Sequence, residues 1–447
     1  MWDFICNCIL KNEDSILFDN NNKLSYKEFL NKIKNRGDEL KELMSPKSKC
    51  AVLCNNGLNT AICILACLYA DLVPIPMSKN YGENHCKNII DLTNPDIIIY
   101  DNNVEIINQT PKTEEILNDV AIIMCTSGTT GAPKGAMITE QGLIKNVENI
   151  AAYFDIKKDD TILIARPLYH CAVLTGELLV SLYKGLNIGF FDEVYNPVSV
   201  LNFMNENEIT VFCGTPTLFN HLSMCLKRVE FKTNLKTIAI SGECLSKKAA
   251  TNIRSAFPNV EIYNVYGLTE AAPRVSFLYP KYFDEYPESV GIPLNDTFLK
   301  TDDTGRIFLK SPSIMKGYYH NEASTNRVLI DGWLDTGDIG YIDSNGFLYI
   351  VSRADDMIIK AGMNIYPKEI ENQIANITQI QECIVYGVKT DAGQAIAADF
   401  VLNTEITKKE LMNLLATVLP MYQMPTEINI VDSLKRNASG KIVRPRS

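Results

Sequence analysis

Short apolar runs alternate with amphipathic stretches through the first half of the chain. Ala51-Val52-Leu53-Cys54, Ile98-Ile99-Tyr100 and Ala121-Ile122-Ile123-Met124 read as buried strands, and Thr60 to Tyr69 as a helix. The pattern recurs at Thr161-Ile162-Leu163-Ile164, Val211-Phe212-Cys213 and Ile238-Ala239-Ile240. Buried strands separated by helices predict parallel sheets covered on both faces. After about Tyr279 the texture changes. Gly and Pro become frequent and strands shorten, as in Gly305-Arg306-Ile307-Phe308-Leu309, which predicts a small β subdomain with tight turns. A third region opens near Ser352. It carries strand candidates Met357 to Lys360 and Cys383 to Val388. Pro367 suits a first helical position ahead of Ile370 and Ile374. Thr407 and Glu410 form a capping box ahead of Leu411, Leu414, Leu415 and Val418. The expected fold is α/β: a large N-terminal core, residues 1–352, of two layered α/β subdomains plus a small β subdomain, then a smaller α+β lid, residues 353–447.

Composition narrows the classes. The 447 residues are 46% hydrophobic and 21% charged, so the chain can bury enough apolar surface to offset its conformational entropy. A net charge of −10 gives no general attraction for nucleic acid or anionic lipid. The longest apolar run, Ala61 to Ala70, ends at Asp71, short of the roughly 20 residues a spanning helix needs. Met1-Trp2-Asp3-Phe4-Ile5-Cys6 lacks the basic stretch of a signal peptide. A cytoplasmic location is expected. The 13 cysteines lie in apolar stretches. Cys50/Cys54 and Cys63/Cys67 have a spacing that invites a zinc reading, but each pair sits inside a hydrophobic run and is expected to be buried free thiol. Unpaired thiols suit a reducing compartment.

The strongest chemical signal is residues 126–135. Thr126, Ser127, Gly128, Thr129, Thr130, Gly131, Ala132, Pro133, Lys134 and Gly135 follow a strand, with an amphipathic helix (Leu143, Val147, Ile150, Phe154) beyond. Three glycines let the backbone approach a ligand. Hydroxyls, backbone N–H groups and one lysine supply donors, as in a phosphate cradle. The Walker spacing fails from both Gly128 and Gly131, since the fifth residue on is Pro133 or Ala136.

This loop resembles the signature of the AMP-forming adenylating superfamily, which includes acyl-CoA synthetases, carrier-protein adenylation domains and beetle luciferases. Further motifs occur in the family's order across nearly the whole chain. Tyr266-Gly267-Leu268-Thr269-Glu270 is similar to the second core motif. The resemblance implies that Tyr266 stacks on adenine, Thr269 contacts the α-phosphate and Glu270 helps hold Mg²⁺. Asn264 matches the position that bonds the adenine amino group, and Ser241-Gly242-Glu243 the segment on the opposite face of the base. Gly332-Trp333-Leu334-Asp335-Thr336-Gly337-Asp338 resembles the ribose motif, with Asp338 accepting from both hydroxyls. Ser352-Arg353-Ala354-Asp355-Asp356 resembles the hinge, with Arg353 reaching ribose or phosphate and Asp355 at the turning point. Gly362 would approach the thiol-bearing arm. Asn437-Ala438-Ser439-Gly440-Lys441 resembles the motif of the catalytic lysine, Lys441. The family usually has Gly where this chain has Ser352 and Pro where it has Lys435.

In Pro167-Leu168-Tyr169-His170, His170 matches the histidine that lines and gates the acid pocket of acyl- and aryl-acid ligases. Amino-acid-activating relatives carry an Asp in this pocket segment; the corresponding stretch, Tyr169 to Leu174, has no carboxylate until Glu177, which disfavours an amino acid substrate. The expected wall adds Cys213-Gly214-Thr215-Pro216, Val265 and Ala271-Ala272-Pro273, and reads as small and mostly apolar. The resemblance therefore implies ATP-dependent activation of a small aromatic or aliphatic carboxylic acid. It implies pyrophosphate release and transfer of the acyl group to coenzyme A, with ATP, Mg²⁺ and CoA as the small molecules bound. Asn364-Ile365-Tyr366-Pro367 with Glu369-Ile370-Glu371 resembles CoA ligases more than loaders of an acyl carrier protein, whose phosphopantetheine is the alternative acceptor. A reading of another class is a non-catalytic nucleotide sensor. Lys134, Glu270, Asp338 and Lys441 together argue against it.

Overall fold

The computed structural model describes residues 1–54, 57–78, 83–101, 103–109, 114–126, 133–193, 195–226, 233–360, 363–375, 377–390, 393–436 and 442–445. The chain forms two compact units. One comprises Met1–Leu245, Ala249–Leu299 and Phe308–Leu334, the other Ser246–Lys248, Lys300–Ile307 and Asp335–Ser447.

In the first unit, Val73–Ser78, Lys49–Cys54 and Ile97–Tyr100 are parallel neighbours, and Asn103–Ile106 adds an antiparallel edge. The helix Leu58–Tyr69 is apolar all round and buried, as a helix without a polar face must be. Tyr26–Leu43 is instead amphipathic. It starts at a Ser25/Glu28 capping box and buries Tyr26, Phe29, Leu30, Ile33 and Leu40. Gly37 lets it approach Leu58–Tyr69, since a Cβ there would lie 2.3 Å from the Tyr69 ring.

A second sheet runs Lys23–Ser25, Ile16–Phe18, Asn187–Phe190, Thr161–Ile164, Val211–Gly214, Thr237–Ile240, Glu261–Gly267, Arg274–Leu278 and Ser289–Pro293. From Ile16–Phe18 to Glu261–Gly267 neighbouring strands are parallel. Arg166, Thr215, Ser241 and Leu268 thus follow strand ends on one edge of the sheet, where open α/β sheets receive ligands. The strand holding Ala121–Met124 departs from the expected parallel pattern. Val120–Thr126 pairs antiparallel with Lys134–Thr139, which pairs antiparallel with Gly317–Tyr318.

The second unit includes an antiparallel hairpin in which Asp338–Ile342 pairs with Leu348–Arg353. Ile380–Thr390 and Gly393–Leu402 are antiparallel. Glu427–Ile430 then lies parallel to Gly393–Leu402 after the helix Lys408–Leu415, whose Thr407/Glu410 capping box forms as expected. That helix and Pro367–Ile374 contribute Ile370, Ile374, Leu411 and Leu415 to a core with Val385, Ile396 and Phe400. No helix among the described residues is long and apolar enough to cross a membrane. Every cysteine whose side chain is described is free, and Cys50, Cys63 and Cys67 are buried. Burial pushes the Cys63 thiol up to about 12.

Candidate active site

Thr126 ends one strand and Lys134 opens the next. They are register partners, and the Thr126 hydroxyl donates to the Lys134 carbonyl at 3.5 Å. Ser127, Gly128, Thr129, Thr130 and Gly131 lie outside the described residues. The helix expected beyond the loop, Glu140–Tyr153, begins only after the strand Lys134–Thr139. The loop therefore joins two strands rather than a strand and a helix. The described charge beside it is Lys134, whose Nζ sits 5.0 Å from the Tyr318 ring centroid.

The strand Glu261–Gly267 carries Asn264 and Tyr266 to its carboxyl end, and a 3₁₀ turn, Thr269–Ala271, holds Thr269 and Glu270. Gly267 is required here, because a Cβ would lie 2.3 Å from the Pro273 carbonyl oxygen. The turn is pinned from two sides. Asn146 donates to the carbonyls of Ala271 (3.2 Å) and Arg274 (2.9 Å) and accepts from the Arg274 N–H at 3.1 Å. The Tyr318 hydroxyl donates to Glu270 Oε1 at 2.8 Å, and the Met315 N–H donates to the Glu270 carbonyl at 2.8 Å. Lys134, Tyr318 and Glu270 thus form one contiguous group. Tyr318 carries no sequence signal of its own, since its role depends on a strand pairing between Tyr318 and Ala136.

Two expected nucleotide contacts have structural tasks. Asn264 is buried and spends both amide hydrogens on the carbonyls of Pro287 (3.1 Å) and Ser289 (2.8 Å), so what it can offer an adenine amino group is Oδ1. Glu243, after Gly242 (φ +91°), accepts from the Thr217 hydroxyl at 2.7 Å and the Thr217 N–H at 3.3 Å.

On the acid side, His170 precedes the short helix Cys171–Val173 and lies against Tyr169, ring centroids 4.4 Å apart. A charged cluster lies close to Ser241 and Cys213. Arg166 Nη2 donates to Glu177 Oε1 at 2.5 Å, and Arg166 Nη1 to the Ser241 hydroxyl at 3.4 Å. Burial raises the Glu177 carboxyl above its usual range, against the opposing charges of Arg166 and Arg274. Arg166 and Arg274 escaped notice because neither belongs to a motif.

In the second unit, Asp338 and Arg353 face each other across the hairpin. Arg353 Nη1 donates to Asp338 Oδ1 at 2.9 Å and to the Thr336 carbonyl at 3.1 Å. Asp355 is exposed within a 3₁₀ turn, Ala354–Asp356. Gly362 and Lys441 lie outside the described residues. The segments flanking 437–441 are anchored by residues that sequence reading missed. Arg436 bonds Glu382, and Arg436 bridges to Ile442. Arg444 bonds Glu371 Oε1 at 2.8 Å, reaches Asp356 Oδ2 at 3.3 Å and donates to the Val385 carbonyl.

Comparison with known proteins extends this picture. The family described as AMP-binding enzyme matches residues 9–319, and the AMP-binding enzyme C-terminal domain matches residues 369–441. A feruloyl-CoA synthase from an Amycolatopsis species is 32% identical over 345 residues, 73% of this chain and 69% of that protein. A 2-succinylbenzoate–CoA ligase from Bacillus pumilus is 33% identical over 340 residues, 74% of this chain and 69% of that protein. The solved o-succinylbenzoate CoA synthetase of Bacillus subtilis, in complex with its acyl-adenylate intermediate, has a TM-score of 0.88 at 25% identity. That match covers 99% of this chain and 96% of the other. With both family matches spanning the loop, the Tyr266–Glu270 turn and Lys441, the chain belongs to the AMP-binding enzyme family.

Proposed function

We propose that this protein activates a carboxylic acid with ATP and passes the acyl group to the thiol of coenzyme A. The observation that carries the reading is the Lys134–Tyr318–Glu270 group at the carboxyl edge of the parallel sheet, beside the hydroxyl-rich loop. A carboxylate is a poor electrophile because both oxygens donate into the carbonyl carbon, their negative charge repels nucleophiles, and oxide is a poor leaving group. In the first step an acid oxygen attacks the ATP α-phosphorus, a new P–O bond forms, and the bond to the β-phosphate oxygen breaks as pyrophosphate leaves. In the second, the thiol sulfur attacks the acyl carbon and AMP leaves with the bonding pair, the thiol proton passing to solvent.

Little covalent chemistry falls to the protein, so positioning and charge stabilisation carry the rate. Lys134 and the loop donors would hold the β- and γ-phosphates. Tyr266 would stack on the base and Thr269 would donate to the α-phosphate. Asp338 and Arg353 would address the ribose, and Lys441 would bridge the attacking carboxylate and the α-phosphate. Glu270 accepts one hydrogen bond from Tyr318 and retains lone pairs suited to a hard cation. Mg²⁺ bound there would neutralise phosphate charge. Asp355 is proposed as the hinge about which residues 353–447 turn between the two steps, Gly362 then facing the thiol arm. The free cysteines support a reducing, cytoplasmic setting.

The test is acid-dependent pyrophosphate release over a panel of carboxylic acids, run with CoA and, separately, with a holo acyl carrier protein. The proposal expects thioester with CoA. Thioester with the carrier alone would shift the acceptor to the alternative, and no acid-dependent release would overturn the activation itself.

A further inference from the structure

Among the described residues, the buried side-chain atoms without a hydrogen-bond partner include Arg166 Nε, Glu177 Oε2 and Arg274 Nε. Buried polar groups are nearly always satisfied, so three orphans in one place call for a physical reason. All three belong to one cluster. Arg166 follows the strand Thr161–Ile164, Glu177 lies in the π-helical turn Leu174–Leu179, and Arg274 opens the strand Arg274–Leu278. Beyond the Arg166–Glu177 pair, Arg274 Nη2 lies 3.1 Å from the point a Cβ on Gly176 would occupy, so the second guanidinium is packed against the same turn. The Glu177 side chain is 1% exposed and Arg274 is 7% exposed.

The cluster lies within the region proposed to receive the acid. Arg166 bonds Ser241 at one strand end, the charges of Glu177, Arg166 and Arg274 all act on the Cys213 thiol at the next, and Arg274 directly follows Ala271-Ala272-Pro273. Two guanidiniums, always protonated, meet one carboxylate, so the net charge is at least +1. A buried ion pair kept for structure would balance one to one. An unmatched buried charge is costly unless something else compensates it. Single-turn π segments are frequent at functional sites, and this one carries Glu177, bonded to Arg166 and within reach of the Arg274 charge.

We infer that the acid activated by this protein carries a second anionic group, a carboxylate remote from the reacting one, seated on Arg166 and Arg274. Arginine forks match a carboxylate in two-bond geometry, and the unused Nε–H groups supply donors. An ammonium-tailed acid would gain Glu177 but face both guanidiniums. A neutral tail would leave the excess charge uncompensated. This inference rests on the activation reading and deepens it by naming the substrate class.

The experiment uses the full chain with ATP, Mg²⁺ and CoA. Aliphatic acids of two to eight carbons and a set of benzoic acids are each supplied in three versions, with a neutral, a carboxylate or an ammonium tail, and pyrophosphate release is followed. The expected result is a kcat/KM for the best dianionic acid at least tenfold above that of its neutral and ammonium counterparts. Arg166→Met and Arg274→Met should each reduce that preference at least tenfold, chiefly through KM. If either variant fails to fold, Glu177→Gln, nearly isosteric, still decides: removing the negative charge should lower KM for the dianion. Preference for neutral or ammonium tails, or a higher dianion KM in Glu177→Gln, overturns the inference while leaving acid activation standing. Absence of release with every acid overturns the activation reading, and the substrate class with it.

Discussion

Tyr318 and Glu270 are 48 residues apart in sequence, yet the tyrosine hydroxyl donates to the glutamate carboxylate at 2.8 Å, with Lys134 over the same ring. The contact follows from the antiparallel pairing of Gly317–Tyr318 with Lys134–Thr139. It makes Tyr318 the residue that sets the orientation of the proposed cation ligand. Hydrogen bonds to charged groups contribute about 1.5–3 kcal/mol. Tyr318→Phe should therefore raise the Mg²⁺ concentration for half-maximal pyrophosphate release by about tenfold or more. An unchanged Mg²⁺ dependence would show that Glu270 needs no such restraint.

Asn264→Ala removes both hydrogen bonds, to the half-buried carbonyl of Pro287 and the buried carbonyl of Ser289. Losing a buried partner costs roughly 1–3 kcal/mol each, so two losses should destabilise by about 2–6 kcal/mol. Urea unfolding should show a lower midpoint at unchanged slope. Near-wild-type stability, with only weaker ATP binding, would give Asn264 a purely nucleotide-binding role.

In the second unit, burial pushes the Glu371 carboxyl up, but the charges of Lys368 and Arg444, with the hydrogen bonds from Arg444 and Val385, more than reverse this and leave it depressed. A carboxyl depressed on folding contributes stability above its unfolded value, near 4.5, and loses it as the pH falls through the folded value. Glu371→Gln should therefore lower the unfolding temperature of this unit most at neutral pH. The difference from wild type should shrink below about pH 4. A pH-independent difference would assign the effect to packing.

Asp355 is exposed within a 3₁₀ turn, whose typical φ of about −50 to −70° proline can adopt. Asp355→Pro should leave adenylate formation within a few-fold of wild type and block thioester formation, because rotation at that residue is removed. Quenched-flow measurement of the two steps separates them. Equal loss of both would count against a hinge at Asp355.

The layered α/β class and the elements of the second unit were legible because strand runs such as Ile238–Ile240 and the Thr407/Glu410 capping box are local signals, read without knowing what they pack against. The loop and the Tyr266–Glu270 turn were legible as strings. What escaped the sequence is pairing between distant segments. The apolar run Ala121–Met124 does not reveal that its partner strand, Lys134–Thr139, is antiparallel and separates the loop from the helix. Tyr318 is one of two adjacent tyrosines, and only the fold tells which one meets Glu270. Arg166 and Arg274 look like scattered surface charge until the π-helical turn brings Glu177 onto Arg166 and Gly176 against Arg274. Arg444 reads as a tail residue, yet it holds Glu371, Val385 and Asp356 three residues beyond Lys441.

Under the proposed function, Lys441 would join an organic acid to AMP on ATP bound by Lys134 and Glu270. It is tested most directly by acid-dependent exchange of labelled pyrophosphate into ATP, comparing wild type with Lys441→Ala. Losing one preorganised charge donor typically costs about 10²–10³ in rate, so exchange should fall by at least that factor while ATP still binds. Exchange at a near-normal rate in Lys441→Ala, or none in the wild type with any acid, would contradict the account.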